Sequence, residues 1–252
     1  MKNKVAIVTG SASGIGEATA LLFAEEGAKV VVADLDDKGS ARTAAQIHNL
    51  GGEAIAVPAD ISTEAGSRAI TEKAVEAFAR IDILVNNAAA FVIKGLEATV
   101  DDWQRSLGTN VIGTALMSRH VVEQMQQNGG GSIVNVSSQS ALFAQPGFLT
   151  YSTTKAAIIH MTRLMALDLA PANIRVNTVC PGTILTTASL GHIRKLGITV
   201  EQFEATEGGQ TILKRVGKPR EVAQAIAFLA SSEASYITAA CLLVDGGRTA
   251  MG

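Results

Sequence analysis

Short apolar runs recur along the chain at Val5 to Val8, Lys29 to Ala33, Ala54 to Pro58, Ile83 to Val85, Ser132 to Val136, Arg175 to Val179 and Ala240 to Val244. Most of these runs are continuous in apolar residues rather than alternating, which is the pattern of a strand buried on both faces. The stretches between them read as helices over 14–26, 38–50, 63–79, 100–127 and 219–229, with a further Ala-rich helix opened by Tyr151 and running to Leu169. Gly27, Gly51-Gly52 and Gly129-Gly130-Gly131 stand where helices must stop, and Thr63 stands where one can be capped. Buried strands that alternate with helices build a parallel sheet covered on both faces, because each parallel neighbour needs a crossover connection, and these are right-handed.

No linker-like segment or repeat interrupts the alternation, so the 252 residues are expected to form one domain, 1–252. The stretch 183–215 breaks the rhythm and carries Gly191, Gly197, Gly208 and Gly209. It is expected to be a less regular insertion beside the substrate that orders as a lid on binding. Hydrophobic residues make up 47% of the chain, while charged residues are 17% and the formal net charge is -2. The absence of a basic stripe argues against a nucleic-acid partner, and no apolar run reaches the ~18 residues of a membrane span. Met1-Lys2-Asn3-Lys4 leads straight into the first strand, without the apolar stretch of a signal peptide. A cytoplasmic location is expected, where Cys180 and Cys241 would be buried free thiols. The sequence leaves open whether those two touch. His48, His120, His160 and His192 show no ligand-like spacing, so no metal is expected.

Three pieces of sequence carry chemistry. Thr9-Gly10-Ser11-Ala12-Ser13-Gly14-Ile15-Gly16 joins the first strand to the first helix. A doubly wound fold binds a dinucleotide pyrophosphate at that junction, where glycines admit the phosphates and the helix N-terminus offers free N–H groups. Asp34 ends the second strand, 34 − 16 = 18 positions after the last of these glycines. A carboxylate near that spacing accepts from the adenosine ribose hydroxyls and repels a 2′-phosphate. No Arg or Lys stands in the loop or directly beside Asp34, so NAD(H) is expected over NADP(H), with Asp36 as the competing carboxylate. Finally, Tyr151-Ser152-Thr153-Thr154-Lys155 begins a helix and puts the phenol and the ammonium on one face. A cation beside a phenol lowers its pKa from ~10, and a Tyr tuned in this way can exchange a proton with a substrate oxygen.

Taken in order with Asp60, Asn86-Asn87-Ala88, Asn110, Ser138, Pro181-Gly182 and Asp245-Gly246-Gly247, these pieces resemble the short-chain dehydrogenase/reductases over nearly the whole chain. The resemblance implies an α/β fold, a Rossmann-like, doubly wound, seven-stranded parallel sheet, assembled as a homotetramer or, less favoured, a dimer. It implies hydride transfer between a nicotinamide cofactor and a secondary alcohol or ketone. Tyr151 matches the acid/base, Lys155 the residue that lowers its pKa and holds the nicotinamide ribose, and Ser138 the hydroxyl that orients the substrate oxygen. Asn110 matches the residue that supports a water chain from Lys155. Gly10, Ser13, Gly14, Ile15 and Gly16 match the phosphate loop, and Asp60 and Ile61 the adenine contacts. Asn87 matches a residue that lies along the cofactor and helps join the central strands. Pro181, Gly182, Ile184 and Thr186 match the surroundings of the nicotinamide carboxamide. Ser138 is preferred over Ser137 because it stands 151 − 138 = 13 positions before Tyr151, the family's spacing. Two departures stand out. Ala89 replaces a glycine of the family's Asn-Asn-Ala-Gly and must avoid backbone angles that only glycine takes easily. Ala239 replaces another in Tyr236-Ile237-Thr238-Ala239, a region that often packs at a subunit interface.

The substrate is expected between the loop after Ser138 and the 183–215 stretch. Gln139, Ser140, Phe143, Gln145 and Phe148 can line one wall, with Ser138, Ser140, Gln145 and Tyr151 touching the substrate. Phe91, Ile93, Leu190 and Phe203 can close the others. This lining lacks a basic anchor and points to a neutral secondary alcohol, a cyclic alcohol or a polyol. Two alternatives stay open: an NADPH-dependent 3-oxoacyl-carrier-protein reductase, disfavoured by Asp34 and the balanced charge, and a non-catalytic NAD-binding regulator, disfavoured by the presence of Asn110, Ser138, Tyr151 and Lys155 together.

Overall fold

The computed structural model describes residues 1–251, with the side chains of His192 and Lys195 outside the described set. Seven strands form one parallel sheet in the order β3-β2-β1-β4-β5-β6-β7. They are β1 (Val5–Thr9), β2 (Lys29–Asp34), β3 (Ala54–Pro58), β4 (Ile83–Asn86), β5 (Gly131–Val136), β6 (Ile174–Pro181) and β7 (Cys241–Val244). The chain winds outward from β1 to β3, returns to β4 on the other side of β1, and then winds the opposite way. This reversal leaves a crevice outside the carboxyl ends of β1 and β4, the place where open α/β sheets bind ligands.

The continuous apolar runs are explained by a core on each side of the sheet. Ala6 and Val8 point into a cluster with Phe23, Ile47, Val222 and Ile226, whereas Ile7 points into one with Ile70, Met117, Met125 and Ile133. The first cluster is covered by α1 (Gly14–Glu25), α2 (Asp37–Asn49) and α9 (Pro219–Ala230). The second is covered by α3 (Glu64–Phe78), α5 (Thr114–Gln127) and α6 (Leu149–Leu169). Thr63 caps α3 by accepting from the Gly66 N–H. Among the described residues no helix is long and apolar enough to cross a membrane.

Two segments differ from expectation. The 100–127 stretch is α4 (Val100–Leu107) and α5 separated by a π-helical turn, Gly108–Gly113. Such turns insert one extra residue and concentrate at functional sites. The 183–215 stretch is more regular than expected. It holds α7 (Thr187–Leu196) and α8 (Val200–Gly209), each started by a capping box, Thr186 with Ser189 and Thr199 with Gln202. Of its four glycines, Gly191 lies inside α7, Gly208 and Gly209 inside α8, and only Gly197 is a stop, with φ +66. The two departures also resolve differently: Ala89 keeps an ordinary negative φ, whereas Ala239 is held at φ 59.

Candidate active site

The loop between β1 and α1 is shaped by what cannot be there. A side-chain carbon at Gly10 would lie 2.7 Å from the Ala88 Cα, and one at Gly16 would lie 2.1 Å from the Gly10 carbonyl oxygen. Asn87 braces the loop, its Nδ2 donating to the Thr9 and Gly10 carbonyls at 3.0 Å, while its backbone N–H donates to Thr9 Oγ1 at 3.1 Å. Asn86 takes the strand-joining role on the other side, donating to Asn135 of β5 at 2.9 Å. Ser13 precedes α1 without capping it through its side chain, so the helix N-terminus keeps unshared donors facing the crevice. That crevice is a cleft of about 580 Å³ lined by Gly10, Ser13, Gly14, Ile15, Asp34, Asp60, Ile61, Asn87 and Thr186. A glycine cradle with free helix N–H groups, opening on a carboxylate at the far rim, fits a dinucleotide.

Asp34 is fixed at that rim by two backbone donors, Ala12 N–H at 2.9 Å and Asp36 N–H at 3.0 Å. Asp36 no longer competes, because its carboxylate caps α2 by accepting from Gly39 N–H. Asp60 accepts from the Ser62 N–H and hydroxyl at 2.9 and 2.7 Å. The fold also brings in a residue that the sequence concealed. Arg42, one turn into α2, donates to the Ala12 carbonyl at 2.5 Å and lies 3.6 Å from Glu17. Only the α2 crossover places it beside the phosphate loop. Around the expected nicotinamide end the outcome is mixed. Thr186 lines the cleft, but the Ile184 side chain is buried in the core, and Ile184 bridges to Gly217. Pro181 ends β6, and Gly182 donates to the Val244 carbonyl at 3.0 Å. Ile184 lies past the end of β6, and its apolar side chain packs inward, as such side chains commonly do.

Tyr151 and Lys155 stand one turn apart on α6, only 7% and 2% exposed. The Lys155 ammonium lies 5.6 Å from the Tyr151 ring centre and donates to the Val136 carbonyl at 2.9 Å. Burial pushes Lys155 down to about 8, with Cys180 opposing. Burial pushes the Tyr151 phenol up, with Ser138 opposing. The phenol therefore shifts opposite to the sequence expectation. Both groups have lost their water, and for the phenol that loss outweighs what Ser138 offers. Two aromatic rings complete the seclusion: Phe91 stacks on Tyr151 at 5.3 Å and 18°, and Phe148 meets it edge-on at 6.4 Å and 76°.

The neighbouring serines separate cleanly. Ser137 donates to the Lys155 carbonyl at 2.7 Å and is thereby used in packing. Ser138 accepts from Ser140 N–H at 3.1 Å and donates to Ser140 Oγ at 3.2 Å, and Ser140 in turn donates to Gln145 Oε1 at 2.9 Å. This polar chain runs from the Tyr151 side into the expected substrate wall. Asn110 sits in the π-helical turn. Its amide accepts from Ala90 N–H at 2.8 Å and donates to Thr154 Oγ1 at 2.9 Å and the Ala90 carbonyl at 3.2 Å. It clamps the segment that carries Phe91 onto α6, next to Lys155. Phe203 is not a wall. It packs with Ile193 and Val216 in a separate core beneath α7 and α8. Arg248 was not anticipated: its guanidinium lies 4.9 Å from the centre of the Phe143 ring and forms no ion pair among the described residues. Of the histidines, His48 meets the Ala54 carbonyl and His120 meets Glu64, while the side chain of His192 lies outside the described residues.

Comparison with known proteins fits this geometry. A family model described as enoyl-(acyl carrier protein) reductase matches residues 10–249. Glucose 1-dehydrogenase 2 of Bacillus subtilis is 39% identical over 253 residues, covering 99% of this chain and 96% of that protein. The chain belongs to the short-chain dehydrogenase/reductases. Within that family, the 3-oxoacyl-[acyl-carrier-protein] reductase of Thermotoga maritima is 38% identical over 251 residues, 98% of each protein. A solved 7 alpha-hydroxysteroid dehydrogenase, complexed with NADH and 7-oxo glycochenodeoxycholic acid, superposes with a TM-score of 0.91 at 36% identity, covering 98% of this chain and 94% of that one. This short-chain dehydrogenase/reductase is thus an NAD(P)-dependent enzyme acting on CH–OH groups.

Proposed function

We propose that the enzyme is NAD(H)-dependent and interconverts a neutral secondary alcohol, cyclic or polyol, with its ketone, using Tyr151 as the acid/base. The observation that carries this reading is the meeting of Tyr151, Lys155 and the Ser138 chain beside Phe91, which stacks on Tyr151 and lines the cleft whose far rim is Asp34. Bound in the cleft, the nicotinamide supplies the hydride acceptor or donor. The residues do the rest. In oxidation Tyr151 takes the hydroxyl proton, and in reduction it returns it. Ser138, already oriented by the Ser140 N–H, can turn its hydroxyl to the substrate oxygen. Lys155 supplies the positive charge that favours the phenolate, and Asn110 holds the segment carrying Phe91 against α6. Phe91 and Phe148 exclude water from the phenol, which strengthens every charge interaction there. NAD over NADP is supported by Asp34, whose fixed carboxylate would repel a 2′-phosphate, while Arg42 is engaged by Ala12 and Glu17. The homo-oligomeric state, a tetramer in this reading, is supported by the same family resemblance.

A second reading keeps the chemistry and changes the substrate. Arg248 at the Phe143 wall lacks a carboxylate partner among the described residues, which favours an alcohol bearing a carboxylate. A panel of secondary alcohols, hydroxy acids and ketones, each run with NAD(H) and with NADP(H), tests both readings by nicotinamide absorbance. The expected outcome is turnover of neutral alcohols with NAD(H). Turnover confined to hydroxy acids supports the Arg248 reading. A preference for NADP(H) overturns the role given to Asp34 and revives the acyl-carrier reductase.

A further inference from the structure

Cys180 of β6 and Cys241 of β7 hold their sulfur atoms 3.2 Å apart, both as free thiols. Thr178 faces Cys241 and Cys180 faces Leu243 in the strand register, so the two side chains meet on a diagonal. Cys241 is partly exposed on the four-residue edge strand, and Cys180 is fully buried. The buried sulfur adjoins the site. Its strand β6 pairs with β5 just before Ser137 and Ser138, Val179 facing Val136, and it lies near enough to Lys155 to act on its charge. The contact also divides the two thiols by reactivity. Hydrogen bonding from Cys180 holds Cys241 below the usual thiol range, Arg163 adding to this, while Cys180 is held up.

We propose that Cys180 and Cys241 form an oxidisable dithiol, a modification site for a hydroperoxide, whose closure to a disulfide disables the adjoining cofactor site. The Cys241 thiolate attacks the peroxide O–O bond, becomes a sulfenic acid and releases hydroxide or alkoxide. The Cys180 sulfur then displaces that oxygen, which leaves with the Cys180 proton as water, and the S–S bond forms. Two thiols lose two electrons, and the peroxide gains them. A disulfide is about 2.05 Å long, so the sulfurs must close by about 1 Å, and the diagonal makes the short edge strand β7 the element that yields. Its movement is passed on directly. Gly182 donates to the Val244 carbonyl at 3.0 Å and packs so closely on Asp245 that a side-chain carbon would lie 2.7 Å from the Asp245 Cα. Cys180 at the same time pulls on β6, whose Val179 carbonyl accepts from the Ser137 N–H at 2.8 Å, next to Ser138.

The modification stands on the thiol pair alone, whereas its consequence rests on the proposed cofactor site. The test treats the wild-type protein and Cys241→Ser with graded hydrogen peroxide, then reads free thiols after denaturation, intact mass, and NADH binding by fluorescence. The expected result in the wild type is loss of both thiols together, a mass lower by two hydrogens, and parallel loss of NADH binding, all reversed by dithiothreitol. Cys241→Ser should keep its NADH binding at the same dose. Gain of oxygen without paired thiol loss overturns the proposal, as does a disulfide that leaves NADH binding unchanged. If the untreated protein fails to bind NADH, the proposed function fails while the thiol and mass readings still decide the dithiol.

Discussion

The cofactor side and the catalytic side of this site are built by opposite means. On the cofactor side the backbone sets the shape: glycines at closest approach, helix N–H groups without side-chain partners, and Asp34 fixed by two backbone donors at the rim of an open cleft. On the catalytic side buried polar side chains set it: Lys155 at 2% exposure and Tyr151 at 7%, the latter flanked by two aromatic rings. The first arrangement costs little, because close backbone packing and solvated donors are both comfortable. The second holds an amine and a phenol out of water, so it stores a cost that the reaction can use.

That contrast predicts that Lys155→Met gives the largest separation of activity from stability. Turnover should fall about 10²–10⁴-fold, the range for losing a contributor to acid–base catalysis, while thermal stability holds or rises. Burial lowers Lys155 to about 8 in the folded protein from an ordinary value of 10.5. Between these values the unfolded chain binds the proton that the folded chain has lost, so stability should rise with pH across that window. The full effect is at most about 3 kcal/mol. Denaturation of both proteins from pH 7 to 10 reads it: the wild type should gain on the Met variant as pH rises, and parallel curves would remove the stored cost.

Next in size is the rim. Asp34→Ala should weaken NADH binding about ten- to a hundredfold, the size of a lost hydrogen bond to a charged group, and move NADPH the other way, because the carboxylate that repels its 2′-phosphate is gone. Fluorescence titration with both cofactors reads the ratio, and an unchanged ratio would detach Asp34 from the choice.

The smallest effect lies outside both halves. Ala239 is held in the left-handed region at φ 59, which costs an L-residue roughly 1–2 kcal/mol. Ala239→Gly should raise the melting temperature by about 2–4 °C per kcal/mol relieved without changing turnover. A fall in melting temperature would mean that glycine's extra freedom in the unfolded chain outweighs the relief.

The same contrast governs what could be read from the sequence. Backbone-built features are local and leave fixed spacings: the glycine loop, the carboxylate that ends β2, and the continuous apolar runs that became seven parallel strands. Tyr151, Lys155 and Ser138 were legible because one helix turn and a fixed offset place them. Features that depend on crossovers were not. Arg42 reaches the loop only through the packing of α2, Arg248 only through the C-terminal turn, and the two thiols only through the register of β6 against β7. The helices α7 and α8 were concealed by their glycines, although Thr199-x-x-Gln202 is a capping-box signature visible in the chain. The direction of the Tyr151 shift was concealed as well, because spacing shows the neighbouring ammonium but not the loss of water.

Tyr151→Phe removes one oxygen from the buried ring and leaves its stacking on Phe91 in place. With the best substrate from the panel, the expected result is turnover reduced by at least about 10²-fold and NADH binding within twofold of wild type, by ~0.4 kcal/mol or less. Turnover that survives the substitution, with NADH still bound, would show that the proton moves through another group and that Tyr151 is not the acid/base.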